Sequence, residues 1–173
     1  VLFVIGCLVG ISNLYRTIFS KVRVKEIKVA KEVIGIRPEF KHFATMHILN
    51  SKKGTYFLAD TLINRHPDTE TLVDIAKLSK TTVEFFNHTP VMAMLSYSNF
   101  GSDAEGSPAK VHEAIDIMQR ENPDLAIDGE MQVKYAMNKE ARDEKYPFTR
   151  LKGKDVNTLI FPNLSSANAT YQL

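Results

Sequence analysis

Four short stretches of this 173-residue chain concentrate side chains that do chemistry: Ala59-Asp60-Thr61, Ser96-Tyr97-Ser98-Asn99-Phe100-Gly101-Ser102, Asp128-Gly129-Glu130-Met131-Gln132 and Pro162-Asn163-Leu164-Ser165-Ser166-Ala167-Asn168. The second combines hydroxyls with a glycine and leads toward a helix. In that combination backbone N–H groups and a helix N-terminus can face an anion such as phosphate, with Ser96, Ser98 and Ser102 assisting. Loop hydroxyls also commonly bond their own backbone and nothing else. Asp128 and Glu130 can act as an acid/base pair or as ligands for a divalent ion. Asp128 is equally suited to cap the helix that follows it, and Asp60 carries the same two readings. Asn163 and Asn168 can bond a ligand, or one of them can cap the last helix. His42, His47, His66, His88 and His112 are scattered with no metal-ligand spacing between them, so each reads as structural or exposed. No GxSxG, Walker or GxGxxG sequence is present.

The elements that must position these stretches follow from apolar patterning. Val91–Leu95 (VMAML) is a continuous apolar run and reads as a fully buried strand. After the serine-rich loop, Ser107-Pro108 marks a helix start, with Ser107 as N-cap and Pro108 in the first helical position. Val111, Ala114, Ile115 and Met118 give that helix one apolar face. Upstream, 43–49 and 55–58 read as strands joined by a hairpin turn over Asn50–Gly54. Asp68 caps a helix whose inner face is Leu72, Ile75, Ala76, Ser79, Val83 and Phe86, and Thr89-Pro90 ends it. Downstream, Asn122-Pro123 is a break and 125–127 is a short strand ending in the Asp128–Gln132 segment. A helix with Val133, Ala136, Met137 and Ala141 inward then runs to Tyr146-Pro147, and 158–161 is the last strand. Four strands, each followed by a polar segment and a helix, predict an α/β fold with a largely parallel sheet covered on both faces. Right-handed crossovers would gather all four polar segments at one sheet edge, where open α/β sheets bind ligands.

Bulk properties narrow the function. A net charge of +2, with no basic run interleaved with aromatics, argues against nucleic acid. Cys7 is the single cysteine, which excludes an intrachain disulfide and a cysteine zinc site and favours a cytoplasmic setting. Asn87, Asn163 and Asn168 head glycosylation sequons that read as chance. Val1–Ile11 is the most apolar run but falls short of the roughly 20 residues a membrane span needs; it reads as a buried strand or a damaged chain start, with no membrane partner. The stretch 20–36 reads as a helix with Ile27, Ala30, Val33 and Ile34 on one face and the solvated Lys21, Lys25, Lys28 and Lys31 on another. Residues 1–40 are expected to belong to a first lobe or its connection, and 41–173 to the main α/β domain. The chain lacks an initial Met and stops where a helix is expected to begin, so it is read as a piece of a longer protein, truncated at its C-terminus.

Read together, YFLADTLINRHPDTETLVDIA, LSYSNFGS, DGEMQ and NTLIFPNLSSAN resemble the phosphate acetyl/butyryl transferase family over roughly residues 20–173. The resemblance implies a three-layer α/β/α fold related to isocitrate and isopropylmalate dehydrogenases, and a homodimer or higher homo-oligomer. The family has two branches. One is the stand-alone phosphate acetyltransferase, which interconverts acetyl-CoA plus phosphate with acetyl phosphate plus CoA. The other is the C-terminal domain of large bacterial NADP-dependent malic enzymes, usually regarded as a regulatory sensor of acetyl-CoA. The wording at Asn99-Phe100, at Met131 and across KYPFTRLKGKDVNTLIFPNLSSAN is closer to the malic-enzyme branch. Lys134 stands where transferases commonly carry an acidic residue, and the stretch 15–24 matches the family poorly. The resemblance implies small-molecule ligands, acetyl-CoA or CoA and phosphate, with NADP and Mg or Mn confined to the malic part of the parent. It places Ser96, Tyr97, Ser98, Asn99, Gly101, Ser102, Asp128, Glu130, Gln132, Asn163 and Asn168 around the ligand. The catalytic Ser-Arg motif of the transferases is expected beyond Leu173.

Overall fold

The computed structural model describes residues 40–172; the expectations for Val1–Ile11, for Cys7 and for the helix over 20–36 fall outside them. Five strands form one sheet: β1 (Met46–Ser51), β2 (Gly54–Ala59), β3 (Val91–Leu95), β4 (Ala126–Met131) and β5 (Thr158–Ile160). Their order is β1-β2-β5-β3-β4. β1 and β2 form the antiparallel hairpin, turning through Lys52-Lys53 with Gly54 at a φ of +136°, and the other three pairings are parallel.

The strands are apolar on both faces because both are covered. On one face Ala59, Met92, Met94, Ile127 and Ile160 pack against helices α1 (Thr69–Phe85) and α2 (Gly106–Glu121) through Leu72, Ile75, Val111, Ala114, Ile115 and Met118. On the other, Leu58, Ala93, Leu95 and Leu159 pack against Tyr135 and Ala136 of α3 (Val133–Met137) and Ala167 of α5 (Leu164–Tyr171). The alternation along each strand therefore separates two cores, and the architecture is a three-layer α/β/α sandwich. Between α3 and β5, α4 (Lys139–Lys145) buries the Arg142 guanidinium, which donates to the carbonyl oxygens of Leu151 (2.8 Å) and Lys154 (2.7 Å) and so shapes the return to the sheet.

Several local readings are corrected. The α2 helix begins at Gly106 with Glu105 as N-cap; Ser107 lies within the first turn, and Pro108 is tolerated there because first-turn N–H groups have no intrahelical partner. The segment read as following the fourth strand is largely inside it, since β4 runs on through Asp128, Gly129 and Glu130 to Met131. The helix read across 133–146 is two helices, broken where the Asn138 side chain accepts from the Ala141 N–H at 2.9 Å and starts α4. With the first piece only five residues long, Val133 and Met137 are 44% and 45% exposed; Ala136 faces the sheet as expected, joined by Tyr135.

Asp68 caps α1 as expected, accepting from the Thr71 N–H at 2.8 Å. Hydrogen bonding from Thr71 is the main cause holding its carboxyl below the usual aspartate range. A depressed folded-state value means the stabilisation is complete above the ordinary aspartate value and is lost as pH falls through the folded one. Asp68→Ala should therefore cost about 1 kcal/mol at neutral pH. In urea unfolding repeated down the acid range, the gap between variant and wild type should close below the carboxylate range.

Candidate functional site

The carboxyl edge of the parallel strands is where the four polar stretches were expected to meet. At the end of β2, Asp60 is buried and fully engaged. It accepts from Thr45 N–H (3.0 Å) and hydroxyl (2.6 Å), from Asn64 N–H (2.6 Å) and amide (2.7 Å), and from Leu62 N–H (3.2 Å). It caps no helix; it ties the end of β2 to residue 45 and to its own loop.

The edge is organised by β4. Its pairing with β3 shifts register between Met94/Gly129 and Leu95/Met131, so Glu130 is an extra residue on the bulged strand. Gly129 makes the bulge possible: its φ is +144°, and a Cβ there would lie 2.5 Å from the Met94 carbonyl oxygen and 3.2 Å from the Ile115 side chain. The Gly129–Glu130 peptide bond is cis, as is Ala59–Asp60. The Glu130 side chain is completely buried, and its carboxylate accepts from the Ser98 hydroxyl (3.0 Å), the Gly101 N–H (2.7 Å) and His112 Nδ1 (3.1 Å). The Phe100 N–H donates to the Glu130 carbonyl at 2.8 Å. The His112 ring is half-exposed and meets Glu130 through Nδ1.

The serine-rich loop is thereby folded onto Glu130. The Ser98 hydroxyl donates to Glu130, so the 2.8 Å contact with Ser102 has Ser102 as donor; Ser98 Oγ also accepts from the Asp103 N–H at 3.0 Å. Ser102 Oγ accepts from the Asn99 N–H (3.0 Å), and Ser96 Oγ from the Ser98 N–H (3.3 Å). Gln132 closes the far side, with its amide on the Tyr97 carbonyl (2.7 Å) and its N–H on Asn99 Oδ1 (2.9 Å). Tyr97 is 64% exposed and donates its hydroxyl to Asp103 at 2.9 Å. Phe100, at a φ of +48°, sets its ring against Tyr146 (4.8 Å) and Phe148 (5.1 Å).

Of the eleven anticipated ligand residues, Ser96, Tyr97, Ser98, Asn99, Gly101, Ser102, Glu130 and Gln132 come together in this one network. Asp128 does not join it. Its carboxylate accepts from the Thr149 hydroxyl (2.6 Å), the Arg150 N–H (2.8 Å), Gln119 (3.2 Å) and the Gly129 N–H (3.0 Å), so the reading of Asp128 as a helix cap is corrected. Asn163 caps α5, accepting from the Ser166 N–H at 2.9 Å, and Asn168 bonds Tyr171 and Gln172 on the same helix. Among the described residues, no group of three or more His, Cys, Asp or Glu side chains is arranged to hold a metal ion.

Two residues that sequence reasoning did not single out for this edge lie on α2. One is His112. The other is Lys110, whose ammonium donates to the carbonyl oxygens of Pro67 (2.6 Å) and Pro162 (3.2 Å). Burial holds Lys110 below the usual lysine range, against a smaller opposing pull from Asp68. Both flank the buried Val111, so the only sequence signal was polar residues bordering an apolar stripe. An open groove of about 540 Å³ lies at the opposite, amino edge of β3 and β4, between Lys80, Pro90, Pro123 and Lys154. It gathers none of the eleven residues, and the ion pair Lys80–Glu84 on its rim is internal.

Comparison with known proteins assigns the class. The family model described as phosphate acetyl/butaryl transferase matches residues 20–173, and the chain belongs to that family. It is 38% identical over 150 residues to an NADP-dependent malic enzyme of Haemophilus influenzae, a match covering 86% of this chain and 20% of the relative. It is 32% identical over 147 residues to a phosphate acetyltransferase of Bacillus subtilis, covering 85% and 45%. Among solved structures, a phosphotransacetylase from Streptococcus pyogenes superimposes with a TM-score of 0.78 at 33% identity, covering 84% of this chain and 45% of the other. The chain thus spans about a fifth of the malic enzymes and under half of the phosphate acetyltransferases it matches. No helix among the described residues is long and apolar enough to cross a membrane.

Two substitutions test the geometry of the edge. Gly129→Ala must displace the Met94 carbonyl, and should destabilise by about 3 kcal/mol in urea unfolding. Glu130→Ala leaves the buried Ser98 hydroxyl without its acceptor, at roughly 1–3 kcal/mol, and releases the Gly101 N–H. Glu130→Gln keeps one acceptor oxygen and should lose less. In both Glu130 variants hydrogen exchange at Gly101 should accelerate, while exchange in α1 stays protected.

Proposed function

We propose that this chain is part of a phosphate acetyltransferase-type domain that binds acetyl-CoA or an acyl phosphate at the carboxyl edge of its sheet. We further propose that it serves as the regulatory C-terminal part of an NADP-dependent malic enzyme. The observation that carries the malic-enzyme assignment is the 38% identity to such an enzyme across 86% of the chain, above the 32% to a phosphate acetyltransferase over a comparable span. The geometry agrees with a binding role. The hydroxyls and carboxylates nearest the loop bond one another, which preorganises a surface without leaving a nucleophile paired to a base. The groups proposed to meet the ligand are Ser96, Tyr97, Ser98, Asn99, Gly101, Ser102 and Gln132, on the platform of Glu130, with Asn163 and Asn168 from the neighbouring helix and Asp128 fixing the wall behind. NADP and a divalent Mg or Mn ion would act in the malate-oxidising part of the protein, and the fold relationship to isocitrate dehydrogenase-like enzymes belongs to the same reading.

A second reading is favoured by the TM-score of 0.78 to a phosphotransacetylase: an active phosphate acetyltransferase. There the CoA thiolate would attack the carbonyl carbon of acetyl phosphate and the site would orient both substrates and stabilise the developing oxyanion. One preparation of the full-length protein separates the two. Malate-dependent NADP reduction that acetyl-CoA modulates, with no acetyl phosphate formed from acetyl-CoA and phosphate, is the expected outcome. Acetyl phosphate formation without malate oxidation would overturn the regulatory reading in favour of the transferase.

A further inference from the structure

The two oxygens of the buried Glu130 carboxyl face different parts of the structure. Oε1 is turned to the serine-rich loop, where it accepts from the Ser98 hydroxyl (3.0 Å) and the Gly101 N–H (2.7 Å). Oε2 is turned to α2, where its one hydrogen-bond partner among the described residues is His112 Nδ1 at 3.1 Å. The Glu130 side chain has no exposure, whereas that of His112 is 50% exposed. One carboxyl thus joins a loop to a helix, and only the helix side of that junction exchanges protons freely with solvent.

His112 is also the one cationic partner of Glu130 among the described residues. The other charged groups of the surrounding elements are engaged elsewhere or are acidic. On α2, Lys110 is bonded to the Pro67 and Pro162 carbonyls, Glu113 accepts from the Thr69 hydroxyl, and Asp116 lies one turn on from His112 with its side chain exposed. At the end of the loop, Asp103 accepts from the Tyr97 hydroxyl and from the N–H of Glu105, the N-cap of α2. No lysine or arginine among the described residues pairs with Glu130 in place of the imidazole.

A histidine ring changes charge within about pH 5 to 8. When it is charged, both nitrogens carry protons, and Nδ1 gives Oε2 a charge-assisted hydrogen bond. When it is neutral, it brings no counter-charge to a carboxyl shut away from water. Glu130 then either keeps an unpaired buried charge, which favours an arrangement where the loop parts and water reaches it, or takes up a proton and holds Ser98 and Gly101 less strongly. Both loosen the loop. We infer that His112 is a positioning residue for the 96–102 loop: its charged ring holds the loop closed on Glu130, and loss of that charge releases it. The hold is strongest between the carboxylate and imidazole ranges and is lost as pH rises through the latter. The inference concerns the order of the loop and reaches the ligand only through the site proposed above.

The test is amide hydrogen exchange on the full-length protein from about pH 5.5 to 8.5, across the histidine range, read as protection factors so that the intrinsic pH dependence of exchange drops out. Wild-type protection around Gly101 should fall about tenfold over that interval, the scale separating a charge-assisted from a neutral hydrogen bond, while α1 keeps its protection. His112→Arg stays charged throughout and should keep the low-pH protection at both ends. His112→Gln has no charge to lose and should show the high-pH level at both ends. A fall of equal size in His112→Gln, or flat protection around Gly101 in wild type, would overturn the inference; the wild-type profile decides even where neither variant folds. Acetyl-CoA affinity is titrated at the two ends of the pH range and is expected to weaken along with Gly101 protection. Unchanged affinity alongside His112-dependent protection would count against the loop as the ligand site and leave the role of His112 standing.

Discussion

A carboxylate with no exposure to water dictates the shape of this sheet edge. A carboxyl group cannot be buried cheaply without hydrogen-bond partners gathered around it, and Glu130 gathers them from three places: a loop hydroxyl, a loop N–H and an imidazole on α2. None of the three is adjacent to it in sequence, so the carboxylate fixes the conformation of the 96–102 loop relative to both β4 and α2. The bulge that aims the side chain depends in turn on Gly129, where there is no room for a Cβ.

The same device recurs at the end of β2 and within β4 itself. Asp60 holds residue 45 and its own loop, and Asp128 within β4 holds the turn at Thr149-Arg150. Each carboxylate anchors a segment that would otherwise be a mobile connection, and the edge becomes a set of pinned loops. What the pinned loop and α2 turn toward solvent are the Tyr97 side chain, 64% exposed, and the half-exposed His112 ring.

The architecture was legible because burial on both sheet faces writes itself into sequence as continuous apolar runs, VMAML above all, and because the apolar stripes of α1 and α2 follow the helical period. Asp68 was legible as a cap, and a cap at either Asn163 or Asn168 was too, since capping is local. What failed to show was anything settled by partners far along the chain. Asp128 and Glu130 look like the end of a strand, because buried carboxylates are rare; they sit inside β4 only because Thr149, Arg150, Ser98, Gly101 and His112 satisfy them. The break at Asn138 was hidden by an apolar spacing that continues past it. His112 and Lys110 drew no attention as site residues because a helix position says which face a side chain is on, not which loop end it meets.

The most direct test of the carboxyl edge as the ligand site is hydrogen exchange on the full-length protein, with and without saturating acetyl-CoA. Slowed exchange centred on residues 96–105 and 161–166 is the expected result, with the amino-edge groove around Lys80 and Pro123 unchanged. Protection confined to that groove, or lying wholly outside these residues, would contradict the assignment of the Glu130-centred edge as the place where the ligand binds.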